Sequence, residues 1–147
     1  MDTVERKPII LGPGLGRGYA CGPMSAVFKA DGVETADRYS VSEWWLEPHA
    51  PGPGPHAHDA NDELFLVIEG RPSILVGDTW HDAPAGSFLM IPAGTIHDFE
   101  NRTDQRAGLF NVFIPGGFER NMPSIVEWFQ HRAAPGSNAD PGGRPGG

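Results

Sequence analysis

Four side chains in two short runs carry the chemistry legible in this chain. His56 and His58 flank Ala57, Glu63 follows the polar stretch Asp59-Ala-Asn-Asp62, and His97 comes just after Pro92-Ala-Gly94-Thr-Ile96. Three neutral imidazoles and one carboxylate are the donors that a borderline-soft divalent cation favours. The expected cofactor is therefore a divalent transition metal. Fe, Mn, Ni, Zn and Cu all accept such donors, and ligand type alone does not choose among them. Four protein ligands on a six-coordinate ion leave one or two positions for water, a substrate oxygen or O2, and an open position is the mark of a catalytic rather than a structural site.

The spacing says which elements must position these groups. Successive side chains of a β-strand point to opposite faces, so His56 and His58 aim the same way while Ala57 aims elsewhere. Asp and Asn in 59–62 read as a turn. Glu63 then opens a strand over 63–69, closed by Gly70-Arg-Pro72, and the Pro92–Gly94 turn delivers His97. Asp62 would face the opposite side from Glu63, and reads as a solvated turn residue. The same alternation turns Phe65 inward with Glu63, and Phe99 and Asn101 with His97. Phe65, Phe99 and Met90 (on the strand before the turn) are candidate pocket residues, with core packing the competing role. Asn101 is expected to tie down its own turn. His49, His81 and His131 have no partner at ligand spacing and read as surface or packing histidines. Of the adjacent Trp44 and Trp45, one must face outward, which suggests a covered surface such as a subunit contact.

Both runs resemble the two sequence motifs of the cupin superfamily. The second agrees at Gly86, Pro92, Gly94, His97 and Asn101; the first agrees from His56 to Gly70 but has Ala50 where a glycine is expected, with Gly52 and Gly54 nearby. The chain is also similar to small bacterial quercetin-dioxygenase-like cupins in a strand at Tyr39-Ser-Val-Ser-Glu43 and in the ending Phe113-Ile-Pro-Gly-Gly-Phe118-Glu. The resemblance implies a jelly-roll β-barrel with His56, His58, Glu63 and His97 as metal ligands. It implies a dioxygenase acting on a small enolic, phenolic or diketone substrate, with Glu63 as both ligand and catalytic base. A metal-dependent isomerase or lyase on a sugar acid or keto acid is the alternative, and a non-catalytic ligand-binding module is a third reading. Small cupins commonly pair, so a homodimer is expected, with the N-terminal arm available to it.

The rest of the chain agrees with that class. Strands are expected over about 24–29, 39–47, 63–69, 73–76, 79–82, 87–91, 98–101 and 107–114, and short strands at such intervals between turn signals indicate an all-β sandwich or barrel. Twenty glycines and 15 prolines among 147 residues suit the many turns. One helix is expected over 121–131, capped by Ser124 with Glu127 closing a capping box. Three segments follow: 1–22 as an arm (a short strand at 8–11, then a glycine-rich loop at 12–18), 23–132 as the domain, and 133–147 as a disordered Pro/Gly tail. The loop at 12–18 is not a phosphate cradle, because no helix can start at Tyr19-Ala-Cys-Gly-Pro23. Nineteen acidic against 11 basic residues disfavour nucleic acid. Lone Cys21, no signal-like N-terminus and no apolar run near the roughly 18 residues of a membrane span indicate a soluble, cytoplasmic protein without a membrane partner.

Overall fold

A computed structural model describes residues 5–133. In chain order these form β1 (Arg17–Cys21), β2 (Met24–Ala30), α1 (Gly32–Thr35), β3 (Ser40–Leu46), β4 (Asp62–Glu69), β5 (Ser73–Val76), β6 (Thr79–Asp82), β7 (Phe88–Ile91), β8 (His97–Glu100), β9 (Ala107–Ile114), a 3-10 turn (Phe118–Asn121) and α2 (Met122–Ala133). A six-stranded antiparallel sheet in the order β1-β2-β3-β9-β4-β7 packs on a three-stranded sheet, β6-β5-β8. This is the jelly-roll with a short C-terminal helix that the sequence predicts. The sheets do not close into one continuous barrel. Among the described residues an isolated bridge, His56 to His97, adds a rung beside β8.

Alternation builds the interior. Along β3, Ser40, Ser42, Trp44 and Leu46 are buried, while Val41, Glu43 and Trp45 are not. Phe65 and Val67 from the large sheet meet Ile74 and Phe99 from the small one in a single core cluster. Each such side chain contributes roughly 1.5–3 kcal/mol through removal from water. Trp45, the outward tryptophan, is covered by its own chain: the Arg106 guanidinium lies 4.3 Å above its ring. Beneath it, a Cβ on Gly108 would meet Trp45 at 2.4 Å, so only glycine admits the ring there.

The N-terminal third departs from expectation. Residues 8–11 form no strand, and Ile10 is 94% exposed; among the described residues no strand pairs with them. The strand begins instead at Arg17, inside the expected loop, and pairs with β2 through a turn in which Gly22 adopts φ +60. Tyr19 holds it by packing edge-on against Phe28, with centroids 5.7 Å apart. The large sheet therefore takes in residues expected to belong to the arm. Between β2 and β3 the chain forms α1 rather than a plain turn, capped by Asp31 with Glu34 completing the capping box. α2 starts at Met122, so Ser124 lies within its first turn and does not cap it. Met122, Ile125 and Phe129 form its buried face, and Phe129 reaches within 3.4 Å of where a Cβ on Gly22 would stand. The expected tail lies, from residue 134 onward, outside the described residues. No helix among the described residues is long and apolar enough to cross a membrane.

Candidate metal centre

The backbone stitches the two motif runs together before any side chain is considered. His56 and His97 exchange N–H to carbonyl bonds of 3.0 and 2.8 Å, and Gly94 donates its N–H to the His58 carbonyl at 2.8 Å. Asp62 accepts the Ala93 N–H at 2.8 Å, so this exposed carboxylate fastens the turn that leads to His97. Gly52 and Gly54 do the work expected of a glycine at Ala50. A Cβ on Gly52 would lie 1.7 Å from the Phe99 carbonyl oxygen, and Gly54 adopts φ +96 while donating to Asp98. Asn101 ties its own turn as expected, donating to the Gln105 carbonyl at 2.7 Å and accepting from Thr103, and it also reaches the Glu47 carbonyl on the facing sheet's end.

The four predicted ligands converge. Their donor atoms all lie within 4.8 Å of one another, comparable to the roughly 4 Å between opposite ligands of a first-row divalent ion. His58, Glu63 and His97 are buried, and His56 is partly open, on the accessible side of the cluster. Nδ1 of His56 faces the Gly54 carbonyl at 2.7 Å, and Nδ1 of His97 faces the Thr95 carbonyl at 2.9 Å. A carbonyl only accepts, so each Nδ1 carries the proton and each Nε2 presents a lone pair inward. His58 Nε2, His97 Nε2 and Glu63 Oε2 are buried without a hydrogen-bond partner. Glu63 Oε2 stands 2.5 Å from His97 Nε2 and 3.3 Å from His58 Nε2, yet neither approach is aligned as a hydrogen bond, and all three atoms belong to the one cluster. Buried polar atoms left in this way are costly. A divalent cation held among them would satisfy every one, so the residues fit the metal that the donor set implies.

Electrostatics sharpen this. Burial, with the neighbouring histidines, pushes His56 down to about 4, so it is a neutral ligand at ordinary pH. Burial alone would raise the Glu63 carboxyl, but the facing His58 and His97 outweigh it and hold Glu63 at about 2, firmly anionic. Burial would likewise lower His97, and Glu63 outweighs it, leaving the imidazole raised. In the metal-free site the anionic Glu63 favours the protonated form of His97, so proton and cation compete for the same place.

The candidate pocket residues fare differently. Phe65 and Phe99 are 2% and 7% exposed and pack on each other with centroids 6.0 Å apart, within the core cluster. Met90 is corrected: it is 60% exposed on the outer face of β7, where Leu89 and Ile91 take the inward positions. The aromatics that touch the histidines are Phe113, whose ring stands edge-on to His58 at 4.9 Å, and Phe118, at 6.1 Å. Asn111 was also missed. Its Nδ2 donates to Glu63 Oε1 and to the Leu64 carbonyl, both at 3.3 Å. A polar residue in the middle of the apolar run Ala107–Ile114 was its only signal. His49 pairs with Asp104, and His81 and His131 are exposed, so none of these three belongs to the cluster.

A cupin domain model matches residues 42–113, the stretch that contains both motifs and all four converging side chains. The chain belongs to the cupin superfamily. Solved cupins share its fold at low identity. An RmlC-like cupin from Shewanella frigidimarina matches with a TM-score of 0.66 and 17% identity, over 80% of this chain and 99% of that one. A predicted oxalate decarboxylase from Thermotoga maritima matches with a TM-score of 0.62 and 14% identity, over 78% and 99%. KdgF from Halomonas sp. matches with a TM-score of 0.60 and 16% identity, over 71% and 92%. No curated protein matches this cupin in sequence.

Proposed function

We propose that this cupin is a metal-dependent small-molecule enzyme, and that it acts as a quercetinase-like dioxygenase on an enolic, phenolic or diketone substrate. The observation that carries the metal is the convergence of His56, His58, Glu63 and His97 with three buried donor atoms lacking any other partner. When bound, a divalent transition metal lowers the pKa of a coordinated hydroxyl and holds it beside O2. The surroundings of the cluster support the substrate class: Phe113 and Phe118 both pack against His58, so the buried side of the site is aromatic and apolar. The alternative at the same four side chains is a metal-dependent isomerase or lyase on a sugar acid or keto acid, which needs no O2.

The residues divide the work. Asn111 holds one oxygen of Glu63, leaving Oε2 to ligate or to take the substrate proton. An acid held near 2 is a weak base, but that depression comes from the facing imidazoles in the metal-free site, and ligation would turn their nitrogens to the metal instead. Substrate enters past His56, the most open of the four. The protein is proposed to be cytoplasmic and to pair with a second copy of itself. Among the described residues β7 is an edge strand of its sheet, and Leu66, Phe88 and Met90 are exposed on that outer face.

The test is oxygen consumption by metal-loaded protein against a panel of flavonols, catechols and 1,3-diketones. Turnover of one of them with stoichiometric O2 uptake is expected. Turnover that proceeds unchanged without O2 overturns the dioxygenase in favour of the isomerase or lyase. Tight binding of a panel member with no product under any of the five metals favours the ligand-binding module.

A further inference from the structure

We propose that Phe118, clamped by the buried carboxylate of Asp31, is the positioning residue that holds His58 in its ligating orientation; this rests on the metal-binding reading above. The three imidazoles are not held alike. His56 and His97 each have Nδ1 against a backbone carbonyl, the usual way a ligating histidine is oriented. His58 has none: its Nδ1 is buried and without a hydrogen-bond partner, in a side chain only 2% exposed. Rotation of a histidine ring about its last torsion is intrinsically broad, so packing must set its angle.

Two rings do so from different elements. Phe113 is built into β9 opposite Glu63, where the sheet register holds it. Phe118 follows the end of that strand, in the 3-10 turn, and nothing in the sheet ladder holds it. Its position comes from Asp31, which is 3% exposed and accepts the N–H groups of Gly117 and Glu119, each at 2.6 Å, on either side of Phe118. A second tie runs from the Glu119 carboxylate to Arg17 Nε at 2.7 Å and to the Tyr19 hydroxyl at 2.6 Å. Both glycines before Phe118 are required by this fit. Gly117 adopts φ +96, and a Cβ on Gly116 would stand 2.6 Å from the Tyr39 carbonyl oxygen and 3.0 Å from Asp31. So fixed, the Phe118 ring lies among Phe28, Trp44, Phe113 and His58. A contact made at Asp31, just before α1, thereby sets the angle of His58.

Cobalt(II) titration of the metal-free full chain, followed by visible absorption and paired with thermal unfolding, tests this in wild type, His58→Ala, Phe118→Ala, Phe118→Tyr and Asp31→Asn. Phe118→Ala should bind cobalt roughly 10–100-fold more weakly, the range for lost support of a ligand, with its absorption bands moved toward those of His58→Ala. Phe118→Tyr keeps the ring and should stay near wild type, and Asp31→Asn should weaken binding in the same direction. Phe118→Ala with a lowered melting temperature but wild-type cobalt affinity and spectrum overturns the proposal, since that is the behaviour of a core residue only. If Phe118→Ala does not fold, Phe118→Leu, which keeps apolar bulk without the ring, is read by the same two outcomes. Failure of wild type to bind cobalt, or wild-type binding by His58→Ala, is a different result: it overturns the metal site itself.

Discussion

Asn111 reaches across the β4–β9 ladder to Glu63, its amide donating to Oε1 while Oε2 is left to face the three histidines. The two oxygens of one carboxylate are thus given separate tasks. In Asn111→Leu, the inner oxygen of Glu63 would be buried without a donor, at a cost of about 1–3 kcal/mol. The carboxylate would then turn to recover a partner. Zinc affinity should drop roughly 10–100-fold. Competition titration with a chromophoric chelator measures the affinity, and urea unfolding of the metal-free protein measures the stability. An unchanged zinc affinity would mean that the sheet alone aims Glu63.

Gly52 is the point where the loop carrying His56 passes closest to β8. Any Cβ there would overlap the Phe99 carbonyl oxygen at 1.7 Å, and the obstacle is backbone, which cannot swing aside. Gly52→Ala must push the loop off β8, breaking the Gly54 bond to Asp98 and displacing His56. We expect a loss of about 3 kcal/mol or more, together with loss of metal from the purified protein by elemental analysis. Full metal content at wild-type stability would show that the loop has slack the geometry denies.

The site was more legible in the sequence than its surroundings, for physical reasons. Ligands obey a strict local rule: period-two alternation put His56 with His58 and separated Glu63 from Asp62, and the Pro92–Gly94 turn announced His97. Met90 was placed only by lying on the strand before the turn, and a four-residue strand is too short for alternation to show that it faces outward with Phe88. β1 was hidden because Gly16 and Gly18 read as loop, while the edge-on contact of Tyr19 with Phe28 that secures it is a tertiary fact. The Ile9–Ile10 pair misled in the opposite sense, with strand propensity but no neighbour to pair with. Asn111 and Phe118 act through residues distant in sequence, Glu63 and His58, and no local pattern carries such a relation.

Acid should strip the metal by way of His97. Its imidazole is raised above 6.5 in the metal-free site because Glu63 outweighs burial, so the proton competes with the cation from above that pH downward. Apparent zinc affinity should climb by about tenfold per pH unit up to the raised His97 value and level off beyond it, as one displaced proton requires. Isothermal titration in two buffers of different ionisation enthalpy counts that proton directly. Zinc binding at pH 5.5 as tight as at pH 8, with no proton released, would contradict a His97 imidazole raised by Glu63.

Stability of the metal-free protein should respond to pH in a separate window, set by His56. Burial lowers this imidazole from 6.5 to about 4, so the folded state holds it neutral where the unfolded chain would protonate it. That contribution is complete above 6.5 and is lost as pH falls from 6.5 toward 4. The window is chosen to keep the His97–Glu63 pair steady: a raised His97 contributes fully only below 6.5, and Glu63, held at about 2 from 4.5, begins to lose its own contribution only below 4.5. Between pH 6.5 and pH 5 the protonation of His56 alone costs about 1.5 kcal/mol. Urea unfolding of metal-free wild type should show a loss of that order, and His56→Gln, which cannot protonate, should lose far less over the same interval. An equal loss in both proteins would place the acid sensitivity elsewhere and return His56 to an ordinary, solvated imidazole.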